Sequence, residues 1–100
     1  MLKLAVVAHK DDNVATTVKD LSKGENVLVD IFGTEKNITL KEDIPFGHKF
    51  AIKEIKKGEE IFKYGEEIGQ ATQDIKEGEY VHVHNVVSER GRGDLEVDVK

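Results

Sequence analysis

The stretch that decides the fold reads Asp74-Ile75-Lys76-Glu77-Gly78-Glu79-Tyr80-Val81. Two similar stretches precede it, Asp20-Leu21-Ser22-Lys23-Gly24-Glu25-Asn26-Val27 and Glu54-Ile55-Lys56-Lys57-Gly58-Glu59-Glu60-Ile61. Each copy has an acid, an aliphatic residue, two polar residues, Gly, Glu, any residue and a second aliphatic residue. We interpret the pattern as the end of one strand, a turn whose Gly takes a positive φ, and the start of the next strand. The irregular spacing of the copies indicates a repeated corner and not a solenoid.

A fourth copy departs from this pattern. It reads Asp43-Ile44-Pro45-Phe46-Gly47-His48-Lys49-Phe50 and has His48 at the position of the Glu, together with the only Pro of the chain. Because Pro stiffens a turn and His titrates near neutral pH, this corner is suited to hold a functional side chain. The alternative is a surface His that is tolerated at an exposed turn position.

The aliphatic composition favours strands throughout. Val and Ile total 20 residues, against six Leu, and branched side chains suit pleated sheets better than helices. We expect a strand at residues 2–7, a hairpin formed by residues 27–32 and 37–40, and a second hairpin that turns at Gly65. The spacing of the apolar residues in 14–21 fits either one or two helical turns or a bent strand.

Length and charge limit the classes of function. A chain of 100 residues with no Cys and a net charge of −5 holds one domain and excludes disulfide frameworks, zinc fingers and thiol catalysis. The acidic balance argues against a nucleic-acid partner. No apolar run reaches the roughly 7–15 residues of a signal-peptide core or the ~20 of a membrane span. We therefore expect a cytoplasmic protein with no membrane partner, with one domain at residues 1–87 and a flexible tail at 88–100 that includes one terminal strand, paired within the chain or with a partner.

Two histidines alternate along a predicted strand at residues 80–86. Side chains at i and i+2 share a face, so His82 and His84 point the same way, roughly 6–7 Å apart, while Val81 and Val83 face the core. Two imidazoles on one face are a start for a divalent metal site, which needs a third ligand from His48, another His such as His9, or a carboxylate. The alternative is an exposed strand that carries two His without a ligand.

Four linked motifs resemble the N-terminal SAF-type domain of the altronate dehydratase family. They are Asp12-Asn13-Val14-Ala15, the corner at 43–50 with Ala51, Lys63-Tyr64-Gly65 followed by Ile68-Gly69, and Gly78-Glu79-Tyr80-Val81-His82 followed by His84-Asn85. The resemblance covers residues 3–87. It implies a mostly β, β-clip fold with short, irregular strands and at most one or two short helices.

The resemblance also implies a function. Members of the family remove water from sugar acids, typically with a divalent metal such as iron(II), and carry a larger catalytic domain after this module. The chain is therefore expected to be the small subunit of a sugar-acid dehydratase, inactive alone and completed by a separate large catalytic subunit. Whether the metal is held mainly by that subunit or by this chain stays open. The small subunit of (2R)-sulfolactate sulfo-lyase has the same layout and is the alternative, as is a non-catalytic β-clip binding or assembly module. Whether the chain also forms a homo-oligomer stays open.

The resemblance suggests which residues form the site. Lys49 is expected to anchor a substrate carboxylate beside His48. Together with His82 and His84, these two residues are the predicted catalytic set, and the three His are also the tentative metal ligands. The predicted substrate-binding residues are Asn85, Tyr64, Asp12 and Asn13, for which turn and strand-end packing is the alternative role.

Overall fold

Short strands joined by tight turns make up the described part of the chain. The computed structural model describes residues 4–88, which contain nine strands and no helix. The strands are β1 (Ala5–Val6), β2 (Val14–Thr17), β3 (Asn26–Ile31), β4 (Thr34–Thr39), β5 (Lys49–Ala51), β6 (Glu60–Lys63), β7 (Glu66–Ala71), β8 (Tyr80–Val81) and β9 (Val86–Ser88). The mostly β prediction is confirmed, and of the two alternatives for residues 14–21 the strand is the one observed. No helix long and apolar enough to cross a membrane occurs in the described range. The terminal strand of the 88–100 tail, predicted at residues 95–100, lies outside it.

The strands form three antiparallel sheets. The largest has the order β1-β2-β5-β8, and two hairpin sheets have the orders β3-β4 and β6-β7-β9. Both hairpins are closed by two-residue loops, Phe32–Gly33 and Tyr64–Gly65, in which every residue has a positive φ between 50° and 102°. This geometry matches the right-handed twist of the paired strands. The predicted turn at Gly65 is therefore confirmed.

The four corners pair two by two. The aliphatic residues of the corners form isolated antiparallel bridges, Leu21 with Ile44 and Ile55 with Ile75. Each bridge closes one hairpin, so that the fold consists of two similar halves. The acid of one corner accepts a hydrogen bond from the turn of its partner corner, as Asp43 does from the N–H of Lys23 at 2.8 Å.

The central sheet separates two hydrophobic cores. Alternate side chains of β2 and β5 face opposite sides, so Ala15 and Phe50 belong to the first core while Val14 and Ala51 belong to the second. The first core also contains Ala5, Val7, Leu21, Val27, Val29, Ile38, Leu40, Ile44 and Ile52. The second also contains Ile55, Ile61, Ala71, Ile75 and Val81.

Candidate functional site

In the corner at 43–50, the ring of His48 does not take part in the hydrogen bonds of the turn. In the other three corners the Glu carboxylate accepts a hydrogen bond from the backbone N–H three residues earlier, in the pairs Glu25–Ser22, Glu59–Lys56 and Glu79–Lys76. The corresponding residue here is Pro45, which has no N–H group. A carboxylate at position 48 would have no such donor to bind, and the His ring turns towards β8 instead.

His48 joins three other rings in a cluster that we call the imidazole cluster: His48, Tyr80, His82 and His84. The Tyr80 hydroxyl lies 2.5 Å from Nδ1 of His48. The ring of Tyr80 stacks on that of His82, with centroids 5.2 Å apart and planes inclined by 7°, and the centroid of His48 lies 5.0 Å from that of His82. His84 contacts Tyr80 at 5.6 Å. The structure thus brings the three His together around Tyr80.

The strand that carries the His pair is shorter than predicted. It ends at Val81, and residues 82–85 form a turn in which the Asn85 carbonyl Oδ1 accepts the N–H of His82 at 3.0 Å. Val83 is consequently 81% exposed, and its predicted position in the core is wrong. The cause is the buried Asn85, because an Asn side chain that bonds the backbone three residues earlier competes with continued strand pairing.

Lys49 lies beside the cluster at the edge of the second core. It shares a face of β5 with Ala51 and is paired in register with Val81. Together with His82 it lines a cavity of about 270 Å³ whose other walls are mostly aliphatic. Burial, followed by the positive charge of Lys63, lowers the pKa of Lys49. Burial also lowers the pKa of His82, with smaller contributions from His48, Lys49 and His84, and both shifts disfavour the charged forms.

The predicted substrate-binding residues lie mainly in structural contacts. Both carboxylate oxygens of Asp12 accept hydrogen bonds from the N–H groups of Tyr64 and Gly65 at the tip of the β6–β7 hairpin. The amide of Asn13 bonds the backbone of Glu60 and Phe62 on β6. Within residues 4–88, these hydrogen bonds do not connect Asp12 or Asn13 to the imidazole cluster.

Asn85 and Tyr64 differ in their exposure to solvent. Asn85 is 2% exposed, and its amide nitrogen donates to the Tyr80 carbonyl at 2.8 Å while its oxygen holds His82. The side chain therefore positions the turn that presents His82 and His84. Tyr64 is 67% exposed, and its ring lies 5.1 Å from Nζ of Lys63, where it is free to contact another molecule.

The tentative metal ligands do not form a complete set by themselves. Within the described part of the chain, no group of three His, Asp or Glu side chains is arranged to hold a metal ion. Nδ1 of His48 is occupied by the Tyr80 hydroxyl, and His82 stacks flat against Tyr80. In residues 4–88 these three His therefore do not complete a metal site, and a metal would need further ligands.

Comparison with known proteins identifies the family. Residues 3–89 match the model of the altronate/galactarate dehydratase SAF domain. The chain belongs to this family. It is 44% identical over 84 residues to altronate dehydratase of Bacillus subtilis, covering 84% of this chain and 16% of that protein. It therefore spans only about a sixth of the length of that relative.

A second kind of SAF relative is similar in length to this chain. The (2R)-sulfolactate sulfo-lyase subunit alpha of Chromohalobacter salexigens is 35% identical over 88 residues, which cover 85% of this chain and 94% of that subunit. The galactarate dehydratase of Escherichia coli is 37% identical over 82 residues, 82% of this chain and 15% of that protein. The family resemblance that the motifs predicted is confirmed.

Tyr80 is the site residue of this SAF domain that sequence reasoning missed. It contacts all three His of the imidazole cluster, yet the corner pattern places it at the variable position between Glu79 and Val81. One signal was present, because Tyr80 and His82 are two positions apart and side chains at i and i+2 share a face of a strand.

Proposed function

We propose that this SAF domain chain is the small subunit of a two-chain lyase, a sugar-acid dehydratase similar to altronate dehydratase. The proposal rests mainly on the similarity to the Chromohalobacter salexigens relative, which is named subunit alpha and is covered over 94% of its length. The similarity to altronate dehydratase supports elimination from a hydroxy acid as the reaction class. We expect the chain to be inactive alone and to require a large catalytic subunit, and a cytoplasmic location stays a prediction.

The imidazole cluster supplies groups for proton transfer in such an elimination. A base must remove the proton next to the substrate carboxylate, and an acid must assist the leaving group. His82 is suited to the role of base because its lowered pKa keeps it neutral near pH 7. If the Tyr80 hydroxyl donates to Nδ1 of His48, Nε2 of His48 carries the proton and becomes the donor.

Lys49 supplies the positive charge that an acid substrate requires. A carboxylate on a half-buried ammonium group gains a charge-assisted hydrogen bond that water screens less than at the surface. His84, at the exposed side of the cluster, is proposed to contact the substrate or the partner subunit. The divalent metal that the resemblance implies is proposed to be held mainly by that partner, which would supply the missing ligands.

A second candidate function is the small subunit of a (2R)-sulfolactate sulfo-lyase. It is favoured by the large share of the subunit alpha relatives that the chain covers, since a further one from Paracoccus pantotrophus is 45% identical over 53 residues, which cover 53% of this chain and 79% of that subunit. The same acid–base groups would serve, with sulfite as the leaving group in place of water. A non-catalytic binding or assembly module remains the third candidate.

Two reconstitutions test these candidates. In the first, residues 3–87 replace the matching segment of the Bacillus subtilis altronate dehydratase, and water loss from altronate is measured. In the second, the chain replaces subunit alpha of the Chromohalobacter salexigens sulfo-lyase, and sulfite release is measured. We expect activity in one assay, reduced at least about 100-fold by His48→Gln or His82→Gln and unchanged by the control Lys53→Gln, an exposed residue outside the site.

The outcomes separate the three candidates. Water loss alone supports the dehydratase, and sulfite release alone supports the sulfo-lyase. An active assembly that is indifferent to both His substitutions would contradict a catalytic role and favour the assembly module. Failure to assemble with either large chain would contradict the small-subunit proposal.

A further inference from the structure

The loop at the tip of the β6–β7 hairpin holds an aromatic residue in the left-handed backbone region. Tyr64 has a φ of 59°, and within the described residues the only other non-Gly residue with a positive φ is Phe32, with 50°, at the tip of the β3–β4 hairpin. Two-residue hairpin loops favour Asn, Asp or Gly at such positions, because the left-handed backbone strains other side chains. Both tips therefore retain an aromatic residue at a cost in stability.

Packing within the chain does little to offset this cost at Tyr64. The residue is 67% exposed, and its ring contacts Nζ of Lys63, 5.1 Å from the ring centroid. A cation beside an aromatic ring contributes little at an exposed position. Strained residues are concentrated at functional sites, where the surrounding structure holds them in place.

The β6–β7 tip is held in place from outside its own hairpin. Both carboxylate oxygens of Asp12, which precedes β2, accept hydrogen bonds from the N–H groups of Tyr64 and Gly65, at 3.0 and 2.8 Å. The ring of His9 lies against Gly65, where a Cβ would be 2.9–3.0 Å from three atoms of that ring. The exposed Tyr64 ring is thus presented by a fixed backbone.

The position of the tip distinguishes Tyr64 from Phe32. Lys63, the neighbour of Tyr64, is close enough to Lys49 for its positive charge to lower the pKa of Lys49, so this tip lies at the rim of the candidate site. The β3–β4 hairpin packs on the first core, on the opposite face of the central sheet. Its tip is bonded by Asp30 of the same hairpin, which accepts one loop N–H at 2.9 Å.

We propose that Tyr64 anchors the interface with the large catalytic subunit, with its ring in an apolar pocket of that partner. The inference rests on the proposed function, in which the partner completes the metal site and must therefore approach the rim of the imidazole cluster. A Tyr that is held rigidly before binding supplies a large contact area at a low cost in conformational entropy, and Tyr is enriched among residues that dominate binding. The chain then gives up stability at this tip in favour of affinity.

Replacement of the aromatic residue by Asn separates strain from binding. Asn tolerates the left-handed region, and Asn-Gly is the favoured sequence of such loops. Tyr64→Asn should therefore raise the Tm of the isolated full chain by about 4–8 °C. Phe32→Asn, the matched control, should raise it similarly. A fall in Tm in Tyr64→Asn would contradict the strain on which the inference depends.

The affinity for a large chain is measured with the same variants. The Bacillus subtilis altronate dehydratase without the segment that matches this chain, and the Chromohalobacter salexigens sulfo-lyase without its subunit alpha, are each titrated with the full chain. In the assembly that forms, Tyr64→Asn should raise the Kd at least about tenfold. Tyr64→Phe, which keeps the ring, should bind nearly as well as the unsubstituted chain, and Phe32→Asn should leave the Kd unchanged.

Two results would overturn the inference and leave the proposed function in place. One is an unchanged Kd in Tyr64→Asn, whether or not a raised KM assigns Tyr64 to the substrate. The other is an equal rise of the Kd in Phe32→Asn, which would remove the link to the rim of the site. Failure of the unsubstituted chain to bind either large chain would contradict the proposed function, and this inference with it.

Discussion

At the residue scale, the contact between Tyr80 and His48 decides which ring nitrogen of His48 carries a proton. A neutral imidazole has one donor and one acceptor nitrogen, and the hydrogen bond made by one nitrogen sets the role of the other. The Tyr80 hydroxyl lies 2.5 Å from Nδ1 of His48, and we predict that it donates its proton to this nitrogen. Tyr80 would then act as a positioning residue that leaves the proton of His48 on Nε2.

The variant Tyr80→Phe tests this assignment. We expect His48 to change from a single tautomer with the proton on Nε2 to a mixture, and the free energy of unfolding to fall by about 1 kcal/mol for the lost hydrogen bond. Long-range proton–nitrogen spectra of the ring nitrogens, recorded above the pKa of the His residues, report the tautomer directly. Tyr64→Phe is the matched control, because Tyr64 is 67% exposed. Unchanged His48 nitrogen shifts in Tyr80→Phe would contradict the assignment.

His82 gives a pH dependence whose sign follows from its surroundings. Burial, and then His48, Lys49 and His84, lower its pKa below the ordinary value of 6.5. Between pH 6.5 and the lower pKa of His82 in the folded state, the His82 ring binds a proton in the unfolded chain but not in the folded chain. The contribution of His82 to stability is therefore complete above 6.5 and is lost as the pH falls through that interval.

Two measurements check this effect. An NMR titration of His82 should give a midpoint below 6.5, and Lys49→Gln should move the midpoint upwards by removing a neighbouring positive charge. Urea unfolding at pH 7.5 and 5.5 should show a smaller loss of stability on acidification in His82→Gln than in the unsubstituted chain. A His82 midpoint above 6.5, or one that Lys49→Gln leaves in place, would contradict the stated causes.

At the element scale, the corner pattern was predictable because each of its residues has a local task. Gly supplies the positive φ, the Glu binds an N–H group three residues earlier, and the aliphatic residue forms the bridge. The exchange of that Glu for His48 was visible in the sequence as well, and its reason is the missing N–H of Pro45. The turn and the exchange of Glu for His lie within one corner of eight residues, so a single sequence reveals them, whereas the bridges join corners that are distant in the sequence.

The turn at residues 82–85 could not be predicted in the same way. Alternation at residues 80–86 indicated a continuous strand, but the bonds of Asn85 to His82 and Tyr80 end it at Val81. Which conformation is adopted depends on the sheet edge that β8 reaches, and pairing with β5 extends over two residues only. Contacts between distant segments, such as that of Asp12 with the Tyr64–Gly65 loop, are likewise absent from local patterns.

Gly78 gives the sharpest test of an individual corner, with Gly24 as its matched control. Both have φ near +90°, yet a Cβ at Gly78 would lie 2.3 Å from the Thr39 carbonyl oxygen, whereas one at Gly24 would meet nothing within 4 Å. We expect Gly24→Ala to lower the free energy of unfolding by about 1–2 kcal/mol through backbone strain alone. Gly78→Ala should lose a further ~1–3 kcal/mol through the clash. Equal losses in urea unfolding would contradict the close contact between the two halves at this corner.

At the scale of the whole molecule, the two halves share one sheet. Each half is a hairpin closed by a bridged pair of corners, and the two cores lie on opposite faces of β2 and β5. Because Val14 and Ala15 are adjacent residues that belong to different cores, neither core can lose its packing without disturbing the strand that supports the other. The imidazole cluster lies where β5 and β8 pair, so its geometry depends on both halves.

This arrangement predicts that the chain unfolds as one cooperative unit. Ile38 of the first core and Ile75 of the second are both fully buried, and each Ile→Val substitution should lower stability by about 0.5–1.5 kcal/mol. A loss of 1 kcal/mol corresponds to about 4–8 °C in Tm for a domain of this size. Thermal unfolding followed through methyl signals in both cores should show the two midpoints falling together in either variant. If Ile75→Val lowered the midpoint of the second core alone, the halves would be independent, and the shared sheet would not couple them.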